Sequence, residues 1–203
     1  MTTTLRIAAA ATLITLAACS QAPAEAPAVT GSEWTLDPAA SDLNYVTIKS
    51  GEIVEVNSFD TLSGGVTADG AANVTIDLSS VSTGVDIRDE RMRDVLFVVA
   101  DNPTASVTAS IDPASFEALK VGERTSVTLD GTLALKGAET GFQAEVNVTR
   151  TGADSVTAVS AQPVVIQAGS LGLTDGIAEL QSLAGLPSIT PAVPVTFSLT
   201  FTR

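Results

Sequence analysis

The sequence predicts an all-β domain, and three observations carry that prediction. Apolar and polar residues alternate with a period of two. At the C-terminal end Val195, Phe197, Leu199 and Phe201 alternate with Thr196, Ser198, Thr200 and Thr202, so each set occupies one face of a strand. Valine and threonine supply 48 of the 203 residues against 8 aromatics, and branched side chains suit a pleated surface. Turn signals, among them Ala68-Asp69-Gly70, Lys136-Gly137 and Thr151-Gly152-Ala153-Asp154, fall between the apolar runs, as short antiparallel connections require.

The first 18 residues are expected to be a targeting segment. Arg6 precedes an uncharged run of 12 residues, Ile7 to Ala18, which suits a signal peptide and is too short for a transmembrane helix of about 20. The run ends in Leu16-Ala17-Ala18-Cys19. This resembles the lipobox of bacterial lipoproteins, and the resemblance implies cleavage before Cys19 and acylation of its thiol. Cys19 is the only cysteine, which excludes an intrachain disulfide. Two or more acyl chains would hold the protein stably on a membrane, and Ser20 resembles the outer-membrane sorting state, so the expected place is the bacterial cell envelope on the periplasmic side. Residues 19–33 then read as a lipidated N-terminus and flexible Ala/Pro linker, because Pro23 and Pro27 sit among alanines with little to pack. The folded domain is expected over 34–203.

Within that domain about nine strands are expected: Asp42 to Lys49, Gly64 to Thr67, Val74 to Ser79, Thr104 to Ile111, Val127 to Leu135, Gln143 to Thr149, Ser155 to Ser160, Val164 to Ala168 and Val195 to Thr202. Each has one apolar face, so those faces must cover one another in a barrel or a sandwich. An outer-membrane barrel would turn its apolar face to lipid between two aromatic girdles, which one Trp and one Tyr cannot make. Two helical segments interrupt the strands. From Asp86 to Phe97, Arg88, Met92, Val95 and Leu96 share a face, with Asp86 placed to cap the start. From Asp175 to Leu186, Ile177, Leu180, Leu183 and Ala184 form a stripe that ends at Gly185. This second helix either closes one end of a barrel or packs outside it.

Composition narrows the chemistry. Ten basic against 23 acidic residues give a net charge of −13, which repels a phosphate backbone and argues against nucleic acid. There is no histidine, so the usual acid/base and metal ligand are missing. The carboxylates are scattered, and no catalytic residue, metal site or cofactor is assigned. Arg88 stands out because it shares its helical face with Met92, Val95 and Leu96, where an unpaired cation is costly. It must either pair with a carboxylate or loop carbonyls, locking the helix to the barrel, or meet a ligand headgroup. Asp89 and Arg93, four residues apart, are expected to form a surface ion pair.

Together Trp34-Thr-Leu-Asp37-Pro38 with Ser41, Phe59 before Leu62-Ser-Gly64, Ile76-Asp77-Leu-Ser-Ser80-Val81-Ser-Thr83, Arg88-Asp89-Glu-Arg91-Met92-Arg93 with Phe97 and Pro103, and Gly131-Thr-Leu133-Ala-Leu135-Lys-Gly137 resemble the YceI-like family. The ordered set is specific where its pieces are not. The resemblance implies an extended antiparallel lipocalin-like β-barrel with one or two short helices around an elongated apolar pocket. It also implies a binder or carrier of polyisoprenoids, isoprenoid quinones or fatty-acid derivatives, with no enzymatic activity. Many relatives carry histidine in the early strand, after the Arg-Asp pair or before the glycine matching Gly137; here that last position is Lys136. The site residues expected to meet the lipid are Arg88, Val107, Leu133, Leu135, Phe197 and Leu199, with Cys19 as the lipidation site. The competing reading is an envelope lipoprotein whose barrel is filled with side chains and which acts through a protein partner.

Overall fold

Alternation along the chain becomes a ladder of antiparallel strands in the computed structural model, which describes residues 26–203. The signal-peptide and Cys19 assignments lie outside the described residues. The strands are β1 (Trp34–Leu36), β2 (Asp42–Lys49), β3 (Ile53–Phe59), β4 (Leu62–Val66), β5 (Ala71–Asp77), β6 (Val81–Ser82), β7 (Thr104–Ser110), β8 (Arg124–Leu135), β9 (Ala138–Gly152), β10 (Ser155–Ser160), β11 (Val164–Gln167) and β12 (Ala192–Thr202). Helix α1 (Asp86–Arg91) follows β6 and helix α2 (Thr174–Leu183) follows β11.

β12 explains how the twelve segments close. Its C-terminal half lies between β10 and β1, and its N-terminal half between β11 and β2. β1 with β2, and β10 with β11, are therefore single long strands, each broken once. A short 3-10 turn, Pro38–Ala40, makes the first break. β3 with β4, and β5 with β6, pair in the same divided way. The result is a closed antiparallel barrel of eight long strands, which leaves no continuous edge open to pairing with another chain. Gly64 allows one such close pairing, because its φ is 137° and a Cβ there would stand 2.1 Å from the carbonyl oxygen of Asn73.

All nine expected strands are present, several with extended ends. β1, β3 and β6 lie outside the expected set, and β3 is the informative case. Its Glu55 and Asn57 face the interior while Val54 and Val56 are 60% and 67% exposed. Across the β2–β3 hairpin, Val46 pairs with Val56 and Ile48 with Val54 on the outer face. The hairpin is polar inside and apolar outside, the reverse of the rule by which alternation is read.

The segment Asp86 to Phe97 is helical as expected, but it changes gauge: α1 runs into a wider π-helical stretch, Met92–Phe97, that buries Met92, Leu96 and Phe97. Its end is clamped. Val98 adopts φ 50°, Asn102 Nδ2 donates to the carbonyls of Phe97 and Val98, and Lys136 Nζ donates to that of Leu96 at 3.0 Å. Two expectations fail here. Asp86 is the first helical residue and not the cap, which is Val85 without a side-chain bond. Asp89 does not pair with Arg93; its carboxylate accepts the backbone N–H of Thr83 at 2.8 Å and the Thr83 hydroxyl, tying the helix to the loop before it.

α2 lies against the π-helical stretch, close enough that a Cβ on Gly176 would stand 3.1 Å from Leu96 Cα. Gly185, at φ 62°, ends it as expected. Ile177, Leu180 and Ala184 face the barrel interior while Leu183 is 47% exposed. Of the two placements open to this helix, it takes the one that covers a barrel end.

The opposite end is sealed by Trp34, Phe116, Leu119, Val148, Val156 and Phe201, all buried. Residues 27–33, expected to be linker, belong to this seal. Val29 is buried and its carbonyl accepts from Trp34 Nε1 at 3.0 Å. The Arg150 guanidinium donates to the carbonyls of Pro27, Leu119, Gly152 and Ala153. Arg203 donates to the carbonyl of Ala28 at 2.6 Å and lies 4.7 Å from the centre of the Trp34 ring. Alanine and proline carry little packing surface of their own, so it is two arginines distant in sequence that hold this segment down.

Candidate ligand-binding site

A cavity of about 540 Å³ runs along the barrel, from Arg88, Arg91 and Leu186 at the helix-covered end to Val66 and Phe201 near the sealed end. Ligand sites typically span about 300–1,000 Å³. The reason for the space is in the inward residues: Ala72, Ala105, Ala109, Ala144 and Ala158 point where a filled barrel needs large side chains. The barrel is therefore hollow and not filled with side chains.

All six residues expected at the site line this one cavity. Val107 sits mid-wall, paired with Val74 on one side and Leu133 on the other. Leu135 stands at the end of β8, and Phe197 and Leu199 come from β12, where Leu199 faces Ala158 across the ladder. Phe142 covers Gly131, its direct partner on β8, and a Cβ on that glycine would fall 2.4 Å from the ring. The wall is thus continuous and almost wholly apolar.

The exception is the helix-covered end. Arg88 Nη1 donates to both Glu55 oxygens, at 2.9 and 2.7 Å, and Nη2 donates to the Thr83 carbonyl at 2.5 Å. Lys49 Nζ is 2.5 Å from the same Glu55 carboxylate. Of the two arrangements open to Arg88, pairing with a carboxylate and a loop carbonyl is the one present, and it locks α1 to β3. Burial raises the Glu55 pKa, but hydrogen bonds and charge from Lys49 and Arg88 outweigh that and hold it below the usual carboxylate value.

Sequence reasoning missed Tyr45, Lys49, Glu55 and Asn57, which all line this end. They lie on the inner face of the reversed hairpin, where Tyr45 is opposite Asn57. The only signal was a polar set alternating with valines, which ordinarily marks the wet face. Tyr45 is 7% and Asn57 4% exposed. Asn57 Nδ2 donates to Thr47 Oγ1 at 3.2 Å. The Tyr45 hydroxyl, Asn57 Oδ1 and Arg88 Nε are buried without a hydrogen-bond partner among the described residues. Burial, reinforced by the Asp89 charge and opposed by Arg88, pushes the Tyr45 hydroxyl far above its ordinary pKa, so it stays protonated. Its ring packs 5.4 Å from Phe59, which lies 5.8 Å from Phe97.

A polyisoprenoid binding domain from Saccharophagus degradans, implicated in plant cell wall breakdown, has the same fold at a TM-score of 0.81 and 39% identity, covering 84% of this chain and 98% of its own. BcnA of Burkholderia cenocepacia matches at a TM-score of 0.63 and 20% identity over 81% of this chain and 98% of its own. A mutant CJ YCEI protein matches at 0.54 and 14% over 72% and 84%. At those identities the last two show the fold alone. No curated protein matches by sequence. The YceI-like domain model matches residues 34–201, nearly the whole barrel from its first strand to its last, and on that match the chain belongs to the YceI-like family.

Proposed function

We propose that this protein is a membrane-tethered periplasmic binding or carrier protein for one long apolar molecule: a polyisoprenoid, an isoprenoid quinone or a fatty-acid derivative. The observation that carries this reading is the continuous apolar cavity along the barrel, polar only at its helix-covered end. An elongated ligand would lay its tail along Val107, Leu133, Leu135, Phe197 and Leu199 and keep its polar end near Arg88. The Saccharophagus degradans domain, described as polyisoprenoid binding, supports the ligand class. Acylated Cys19 would supply the anchor, in the outer membrane facing the periplasm. Binding, and no catalysis, is the role assigned, with no nucleic-acid partner.

Native purification followed by solvent extraction and mass spectrometry tests the reading. A long-chain lipid in near-stoichiometric amount is expected; protein that carries none and takes up none on incubation with a polyprenol would refute it. The tether has its own test. The mature N-terminus should be an acylated Cys19, and an unmodified cysteine there would remove the membrane anchor from the proposal.

A further inference from the structure

Two spaces lie in line inside the barrel, and one layer of side chains parts them. Toward the sealed end the main cavity is bounded by Val66, Ile111, Ala158 and Phe201. The same four residues bound a second space of about 100 Å³, whose other walls are Trp34, Phe116, Val148 and Val156 and, on the far side, residues 29–32. Protein interiors are close-packed, and volume left empty costs free energy in proportion to its size. A void set elsewhere in the seal would be a packing defect. This one continues the channel.

Phe201 is the only ring among the four dividing residues, and the fold holds it in place. Its strand, β12, is paired on both sides at this position, with Leu36 of β1 and Val156 of β10, and all three residues are buried. Across the passage Ala158 offers a single methyl. The far wall of the second space is held differently. Residues 29–32 precede the first strand and are fixed by side chains: Trp34 Nε1 donates to the Val29 carbonyl at 3.0 Å and Arg203 Nη1 to the Ser32 hydroxyl at 3.2 Å.

We infer that Phe201 sets the length of ligand the barrel accepts: the end of the apolar tail rests on its ring, and the space beneath residues 29–32 is the next segment of the channel, closed by that ring. This inference rests on the binding function proposed above. Until the tail reaches the ring, each added carbon buries more apolar surface and raises affinity. Past that length the excess stays in water at the mouth or presses on a packed wall, and affinity stops rising.

The test measures affinity of the full chain for a ladder of prenols, from farnesol and geranylgeraniol up to solanesol. Wild-type affinity is expected to stop rising within this series. Phe201→Ala joins the two spaces and should move that limit up by one isoprene unit, the longer prenol binding about tenfold more tightly than to the wild type. Thr30→Leu fills the second space from its far wall. Alone it should leave the limit where it is; combined with Phe201→Ala it should restore the wild-type limit. Ala158→Leu enlarges a dividing residue without removing core volume and should move the limit down, which keeps the test open if Phe201→Ala does not fold. An unchanged limit in Phe201→Ala, or in Ala158→Leu where the first does not fold, would overturn the inference, as would a gain that Thr30→Leu fails to cancel. Wild-type affinity that rises all the way to solanesol would overturn it too while leaving the binding function intact. If no prenol binds, the binding function itself fails.

Discussion

The two ends of the barrel each place an arginine in a largely apolar setting, and they treat it in opposite ways. At the sealed end Arg150 is 3% exposed and its nitrogens are spent on four backbone carbonyls. At the helix-covered end Arg88 holds Glu55 and Thr83 through its Nη groups, keeps Nε without a partner among the described residues, and stands near a buried tyrosine hydroxyl and an amide oxygen in the same condition. The first arrangement is complete within the chain and can only serve stability. The second is incomplete, and incompleteness of buried polar groups costs free energy that folding alone does not recover. A difference of this kind separates an end built to stay shut from an end built to receive something.

The largest expected effect is at the sealed end. Arg150→Met keeps the stem but leaves the carbonyls of Pro27, Leu119, Gly152 and Ala153 without their donor, and should destabilise by about 3 kcal/mol or more in urea unfolding. A loss below about 1 kcal/mol would mean that water replaces the guanidinium and that the end is not sealed.

Enlarging a side chain distinguishes packed from hollow. Leu119→Phe enters the buried cluster at the sealed end, where Leu119 lines no cavity, and should cost about 1–3 kcal/mol. Val107→Phe points into the cavity, should cost less than about 1 kcal/mol because the space is already there, and should reduce lipid uptake sharply. Equal losses of stability at the two positions would contradict the cavity.

The smallest effect concerns pH. The Glu55 pKa is depressed in the folded protein, so its contribution is fully present above the unfolded carboxylate value of about 4.3 and is lost as pH falls through the lower folded value. Glu55→Gln should remove part of the acid-side fall in melting temperature. The shift should be modest because the side chain is 29% exposed. An acid limb unchanged in the variant would place the dominant titration elsewhere.

Much of the barrel was legible in advance because each wall strand obeys one rule. In β8 and β12 the apolar set points inward and the hydroxyl set outward, so the faces of Leu133, Leu135, Phe197 and Leu199 follow from local order alone. The helix from Asp86 was legible for the same reason, its apolar spacing being local. The polar end of the site was not legible, because the β2–β3 hairpin inverts the rule. Glu55 and Asn57 are tolerable inside only because Lys49, Thr47 and Arg88 reach them, and the last of these lies 33 residues away along the chain. The packing of residues 27–33 was equally hidden, since Arg150 and Arg203 approach from the far side of the sequence.

What the amino-acid sequence determined by itself is therefore the all-β class, the two helical segments, the apolar lining and the Arg88 position that demanded a partner. Each of these depends on period, composition or the cost of an unpaired charge, and those are properties of a short stretch. Tertiary structure decided that the barrel is hollow, that α2 covers one end, that Arg88 meets Glu55, and that Tyr45 and Asn57 face the cavity. Closure of the strands fixes how much volume lies between walls of alanine, valine and leucine, and a polar side chain can turn inward only where the closed fold brings it a partner.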